Sequence, residues 1–333
     1  MPKFKNLRGK MKKFWKNKKV LVTGGAGFIG SHVVEQLVKK GARVTITTKS
    51  NNLDFLKEVK GKVIVLKSDL TNPRQAVLAV RGQEIVMNLA SKVAGIKFNV
   101  AHPATMFSDN ILIAKNITHA AAVNKVERFL VVSSACVYPR FCTIPTPENE
   151  GFIDDPEPTN LGYGWAKRVA ELLGRFYAQE FGLKVAIARP YNAYGPRDDF
   201  NPETSHVIPG LVKRVFDGEN PLKVWGSGKQ TRSFLYVDDF ARGLIETVEK
   251  YPNCDPVNIG SSQEITIENL AKLIVKLSGI ETKIEFDTSK PDGQPRRNCN
   301  TKKANKRFGF KARVPLKTGL KKTILWYKRH LSS

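Results

Sequence analysis

The chain has 333 residues, of which 41% are apolar and 26% charged, a balance that permits a sizeable folded core and excludes disorder as the dominant state. Its formal net charge is +25, yet residues 1–19 hold nine Lys or Arg and no acid, and residues 301–333 hold eleven and no acid. The segment 20–300 carries 35 basic and 30 acidic residues, a net of only +5, so the excess belongs to the ends and the body of the chain implies no nucleic-acid partner.

Residues 1–18 read as a basic N-terminal extension. Phe4, Leu7, Met11 and Phe14 recur in it at helical spacing, so it is either a solvated lysine-rich segment or a basic amphipathic helix making weak contact with an anionic membrane surface. Residues 19–190 then alternate strand-like and helix-like segments. Strands are predicted at Val20–Thr23, Val44–Thr48, Val63–Leu66, Ile85–Leu89, Phe129–Val132 and Val185–Ala188, and helices at Ser31–Lys40, Thr105–Asn124 and Tyr163–Phe181. Such alternation builds an α/β fold with a doubly wound parallel sheet covered on both faces. From residue 191 to 333 the pattern loosens into Gly-, Pro- and Asn-rich loops with helices at His206–Asp217, Val237–Glu249, Thr266–Ser278 and Leu316–His330. This half reads as a smaller C-terminal α/β substrate domain interleaved with the first.

Cys136, Cys142, Cys254 and Cys299 form no CxxC pair, so neither a metal site nor a disulfide framework is expected. No apolar run approaches the ~18 residues needed to span a bilayer, and a reducing cytoplasmic setting is the simplest expectation.

The first strand runs into Thr23-Gly24-Gly25-Ala26-Gly27-Phe28-Ile29-Gly30, with Gly24, Gly27 and Gly30 three apart. Glycines at that spacing between strand and helix allow a tight turn, close approach of backbone to a pyrophosphate, and close helix–strand packing. About 20 positions on, an acid would favour NAD, but the second strand ends in Thr47-Thr48-Lys49-Ser50. A hydroxyl-and-lysine cluster suits a 2′-phosphate, which favours NADP(H) and leaves NAD open. Asp69 and Leu70 after the third strand are candidate adenine contacts, and Asn88 and Ala90 after the fourth flank the phosphates.

Tyr163 and Lys167 are spaced i, i+4 at the start of a helix and share a face. An ammonium there is expected to lower the phenol's pKa toward a range useful for proton exchange. Ser134 lies just past the fifth strand, at the edge where ligands gather in open parallel sheets.

At this point the chain resembles the extended short-chain dehydrogenase/reductase family of nucleotide-sugar enzymes, from about Lys18 to Gly309. The resemblance rests on the glycine motif 23–30, Ser133-Ser134-Ala135-Cys136-Val137-Tyr138-Pro139, Tyr163-Gly164-Trp165-Ala166-Lys167, Arg189-Pro190-Tyr191-Asn192-Ala193-Tyr194-Gly195-Pro196 and Arg232-Ser233-Phe234-Leu235-Tyr236-Val237-Asp238-Asp239. It implies a Rossmann domain plus a sugar-nucleotide domain, and a homodimer paired through the helices Thr105–Asn124 and Tyr163–Phe181. Cys136, Ser205-His206-Val207-Ile208-Pro209 and Lys290-Pro291-Asp292-Gly293-Gln294-Pro295-Arg296 are similar to the branch of that family that epimerises carbons 3 and 5 of a GDP-4-keto-6-deoxyhexose and reduces carbon 4 with NADPH.

By that resemblance, Cys136 and His206 form the acid/base pair. Ser134 and Tyr163 hold the oxygen on carbon 4, Tyr163 protonates it, and Lys167 holds the cofactor ribose. Phe28, Ile29 and Pro190 line the cofactor; Asn192, Arg214, Trp225 and Arg232 meet the nucleotide sugar, the arginines at its phosphates. Ala135 stands where that branch has a second serine, and the glycine loop is similar to that of redox-neutral epimerases. An epimerase of carbon 4, or of carbons 3 and 5, that holds NAD tightly is therefore the alternative, with a non-catalytic cofactor-sensing protein behind it. Cys142, Cys254 and Cys299 read as structural.

Overall fold

The structure, a computed structural model, describes residues 14–50, 52–290 and 294–331. Phe4, Leu7 and Met11 lie outside the described residues. Phe14, the last of that apolar stripe, packs against the protein body: the Arg128 guanidinium sits 4.5 Å from its ring centroid. Next to it Trp15 is fully buried, its indole Nε1 donating to Glu249 at 2.7 Å.

Six strands open the fold: β1 (Lys19–Thr23), β2 (Arg43–Thr48), β3 (Val63–Lys67), β4 (Ile85–Asn88), β5 (Arg128–Val132) and β6 (Val185–Pro190). With a seventh strand, Val257–Ile259, they form one parallel sheet in the order Val257–Ile259, β6, β5, β4, β1, β2, β3. The chain starts in the middle, winds outward through β2 and β3, then returns to build the other half. The order therefore reverses beside β1 and β4, and ligands bind outside the carboxyl ends of strands at such a switch point. Central strands β1, β5 and β6 are apolar and buried almost throughout, as a sheet covered on both faces requires.

Two cores cover the faces. One joins β1, β2 and α1 (Phe28–Lys39) to Phe240, Ala241 and Leu244, so a helix from the C-terminal half closes the dinucleotide lobe. The other packs α2 (Pro73–Val80), α4 (Pro103–Val123) and α5 (Leu161–Phe181) on the opposite face, while α3 (Ile96–Ala101) follows β4. A third core, built from α6 (Val207–Phe216), Leu222, Val224, Ile267, Leu270 and Leu320, forms the second lobe. There Thr231–Ser233 pairs antiparallel with Glu264–Thr266 and parallel with Arg296–Arg297, and Leu222–Trp225 pairs with Ile284–Asp287.

The six long strands fall within two residues of their expected ends. Sequence patterning misses the seventh strand, only three residues long, and helix α2, although Asn72 caps it by accepting from the Arg74 and Gln75 amides and Pro73 opens it.

Candidate active site

The glycine turn is built by contact. Gly24 takes φ +65°, a left-handed conformation, and a Cβ on Gly30 would sit 2.1 Å from the Gly24 carbonyl oxygen. Helix α1 thus packs directly on the turn, its first turn carrying no acid and its N-cap Gly27 no side chain to satisfy the free amides. Those amides and their dipole fit the pyrophosphate of a dinucleotide. Thr23 locks the strand ends together, its hydroxyl donating to Asn88 Oδ1 at 2.7 Å and accepting from the Ala90 amide at 2.9 Å.

At the end of β2, Lys49 Nζ lies 2.9 Å from Asp69 Oδ1. The hydrogen bonds from Lys49 and Thr71 hold the Asp69 carboxyl down at about 2. The Lys49 ammonium thus stands at the end of β2, paired with an exposed carboxylate. Thr48 and Ser50 close a turn beside it, and the Leu70 side chain is buried in the core with its carbonyl accepting from Asn116.

Around the carboxyl end of β5 the chain brings four candidate side chains together. Ser134 caps the short turn Ala135–Val137, its Oγ accepting from the Cys136 amide at 3.1 Å. A Cβ on Gly164 would lie 2.5 Å from the Cys136 carbonyl oxygen, so only a glycine there lets the Cys136 turn seat against α5. Tyr163 and Lys167 rise from that first stretch of α5, with Lys167 Nζ 5.3 Å from the tyrosine ring centroid and donating to the Val132 carbonyl at 2.9 Å.

The electrostatics differ from the expectation that Lys167 depresses the phenol. Burial pushes the Tyr163 phenol well above its ordinary value, the nearby Cys136 adds to this, and the Ser91 and Ser134 hydroxyls pull the other way without cancelling it. Burial also lowers Lys167 from 10.5 to about 8, against the opposing pull of Cys136. Near neutral pH the site thus presents a protonated phenol beside a lysine close to its own titration range. That suits Tyr163 to giving a proton to a developing alkoxide.

His206 lies on a different element from these four. It ends the loop that precedes α6, where Thr204 donates to Asp199 and Asp199 accepts from the Asn201 amide. That loop packs on the segment after β4, since a Cβ on Gly95 would meet the Thr204 carbonyl oxygen at 3.3 Å. The imidazole keeps an open side, yet surrounding protein lowers its pKa against the attraction of Asp199.

The remaining candidates lie along the second lobe. Asn192 ties the loop after β6 to the Ser233 carbonyl at 2.8 Å, and Pro190 is buried at the strand's end. Trp225 is 65% exposed, a flat surface open to a base. Arg214 supports that strand rather than standing free, gripping Glu219 through Nε at 2.6 Å and Nη2 at 2.5 Å. Arg232 donates to the Thr231 and Gln294 carbonyls, and burial with the neighbouring Arg297 lowers it to about 10.

Two site residues are absent from the sequence reading. Ser91, beside the Tyr163 phenol, also donates to Asn110 Oδ1 at 2.6 Å; its signal is its place just past the carboxyl end of β4. Arg297, one residue beyond the quoted 290–296 motif, brings Nη2 to 3.9 Å from Cys136 Sγ.

Residues 20–260 match the NAD dependent epimerase/dehydratase family. The chain is 35% identical to a probable GDP-L-fucose synthase 1 of Oryza sativa subsp. japonica, over 96% of this chain and 94% of that protein. It is 32% identical to a GDP-L-fucose synthase of Escherichia coli strain K12, over 93% and 96%. Among solved structures, UDP-glucose 4-epimerase with UDP-glucose from Thermotoga maritima superposes with a TM-score of 0.84 at 28% identity, over 94% of this chain and 99% of that one.

Proposed function

This chain belongs to the NAD dependent epimerase/dehydratase family, and from that premise we propose that it converts a GDP-4-keto-6-deoxyhexose by epimerising carbons 3 and 5 and then reducing carbon 4 with NADPH. The observation that carries this reading is the Cys136 side chain lodged beside Tyr163 and Lys167, where a purely redox site needs no thiol.

The chemistry asks for such a group. The ketone at carbon 4 acidifies the protons on carbons 3 and 5, and inversion removes a proton from one face and returns one to the other. Cys136 and His206, carried on separate elements, supply the two faces. Ser134 and Tyr163 hold the enolate oxygen in the meantime. The glycine turn and the N-terminus of α1 would hold the dinucleotide, which when bound would supply hydride for carbon 4. The protonated Tyr163 phenol gives its proton to the oxygen on carbon 4 once negative charge has developed there, and Lys167 would orient the cofactor ribose. Arg232, with Trp225 at the base, takes the diphosphate end.

The test is direct. The purified protein is mixed with GDP-4-keto-6-deoxymannose and NADPH, absorbance is followed, and any dinucleotide released on denaturation is identified. Substrate-dependent loss of NADPH is expected; tightly bound NAD with no NADPH loss would replace this reading by the redox-neutral epimerase.

The assembly we propose is a homodimer through α4 and α5, which pack together and leave Phe107, Leu112, Phe176 and Phe181 exposed. Sedimentation equilibrium of Phe176→Glu is expected to give a monomer. The proposed setting is the cytoplasm; no helix among the described residues is long and apolar enough to cross a membrane.

A further inference from the structure

The reaction outlined above leaves a guanidinium at the Cys136 sulfur without a task. Arg297 ends the strand Arg296–Arg297, whose parallel pairing with Thr231–Ser233 sets it across from Arg232. The three arginines of this patch have separate partners. Arg296 is bidentate to Glu264 at 2.8 and 2.7 Å, and Arg232 donates to two carbonyls at 2.8 and 2.7 Å. Arg297 turns inward to the sulfur, Nη2 to Sγ 3.9 Å.

Its surroundings pull both ways. Arg232 lies alongside and repels it. Glu157, 7% exposed with Oε2 unpartnered, faces both arginines, but the ion pair it forms is the long contact with Arg140 at 4.0 Å. Burial works against charge on Arg297; Cys136, Tyr191 and Glu157 together outweigh it and hold the guanidinium above its ordinary range. A neutral thiol is a weak hydrogen-bonding partner that gives little return for desolvating a guanidinium, whereas a thiolate is a full anion.

We propose that Arg297 is the positioning residue for the Cys136 thiolate, its guanidinium holding the sulfur in the anionic form in which it can take a proton from the sugar. The inference rests on the epimerase reading for the identity of that proton. In the step, the C–H electron pair passes into the enolate, the proton goes to sulfur, and the product is a neutral thiol beside a guanidinium that stays charged throughout. The thiolate is restored when that proton leaves to water. A diphosphate-binding arginine would act on substrate affinity; this one acts on the sulfur before substrate arrives.

The experiment therefore begins without substrate. The full-length protein and its Arg297→Met and Arg297→Lys variants are treated with iodoacetamide at pH 7, and alkylation of Cys136 is timed by peptide mass spectrometry, with Cys254 as internal reference. Arg297→Met is expected to slow Cys136 alkylation about tenfold or more, the range for losing a hydrogen bond to a charged group, with Arg297→Lys intermediate and Cys254 unchanged. During turnover the same order should appear in kcat and in solvent deuterium entering the sugar, with KM little altered. If Arg297→Met is poorly folded, Arg297→Lys carries the test by the same readouts. Unchanged or faster alkylation of Cys136, or an effect confined to KM, overturns the proposal. Because alkylation needs no sugar nucleotide, failure of the substrate assignment alone would leave the Cys136 result standing.

Discussion

Lys167 is costly to fold, and replacing it should stabilise the protein while abolishing turnover. Its side chain is only 8% exposed, and burial brings its pKa from 10.5 to about 8. The folded-state value is the lower one, so between pH ~8 and ~10.5 the unfolded chain binds more protons and wild-type stability rises with pH. At pH 7 the buried ammonium costs about 3 kcal/mol, at about 1.4 kcal/mol for each tenfold in proton affinity. Lys167→Met removes that cost together with the hydrogen bond to the Val132 carbonyl, worth about 1.5 kcal/mol to a charged donor. The variant should be more stable by about 2 kcal/mol, which for 333 residues raises Tm by about 3 °C. Near pH ~10 the lysine is neutral in the folded protein and the advantage should close. Urea unfolding of the cofactor-free protein at pH 7 and pH 10 measures both terms. A variant less stable at pH 7, or a gap that does not shrink with pH, would refute the reasoning.

Three further outcomes follow from other parts of the molecule. Glu171→Gln should destabilise by about 3–5 kcal/mol in urea unfolding, because Arg189, 1% exposed and bidentate to Glu171 at 2.7 and 2.8 Å, would be left a buried unpaired charge; a loss below about 1 kcal/mol would mean that the pair is replaceable. Lys49→Glu should raise KM for NADPH about tenfold or more and leave that for NADH nearly unchanged, and equal effects on the two would remove Lys49 from the 2′-phosphate. Cys136→Ser should suppress solvent deuterium exchange at carbons 3 and 5 while dinucleotide binding, followed by nicotinamide fluorescence, stays intact; undiminished exchange would take the thiol out of the reaction.

How much of this was legible before the fold depends on how local each signal is. Whereas Cys136 was legible only through the family resemblance of the segment around Ser134, the glycine turn and the Tyr163–Lys167 face are short spacings within one strand-turn or one helical turn, which backbone geometry alone brings out. The long strands were legible for the same reason, being apolar runs between turn residues. Val257–Ile259 was not, because three residues hold no period, and it is a strand only because β6 offers an open edge. Arg297 was missed in the same way: it follows the 290–296 motif by one residue, and only the pairing of Arg296–Arg297 with Thr231–Ser233, more than 60 positions away, turns it toward Cys136.

The protonation state of Tyr163 failed for a different physical reason. Spacing reveals that a lysine stands four residues on, and pairwise logic then lowers the phenol's pKa. The fold buries both groups, and desolvation penalises a phenolate and an ammonium alike, raising the one and lowering the other. The two therefore meet near neutral pH as a protonated phenol and an ammonium with a lowered pKa, rather than as a phenolate–ammonium ion pair. A site arranged this way keeps its proton on the tyrosine until negative charge appears on the substrate oxygen. That is the order in which a reduction at carbon 4 needs it: hydride transfer creates the alkoxide, and only then is the phenol's proton worth more on the sugar than on the enzyme.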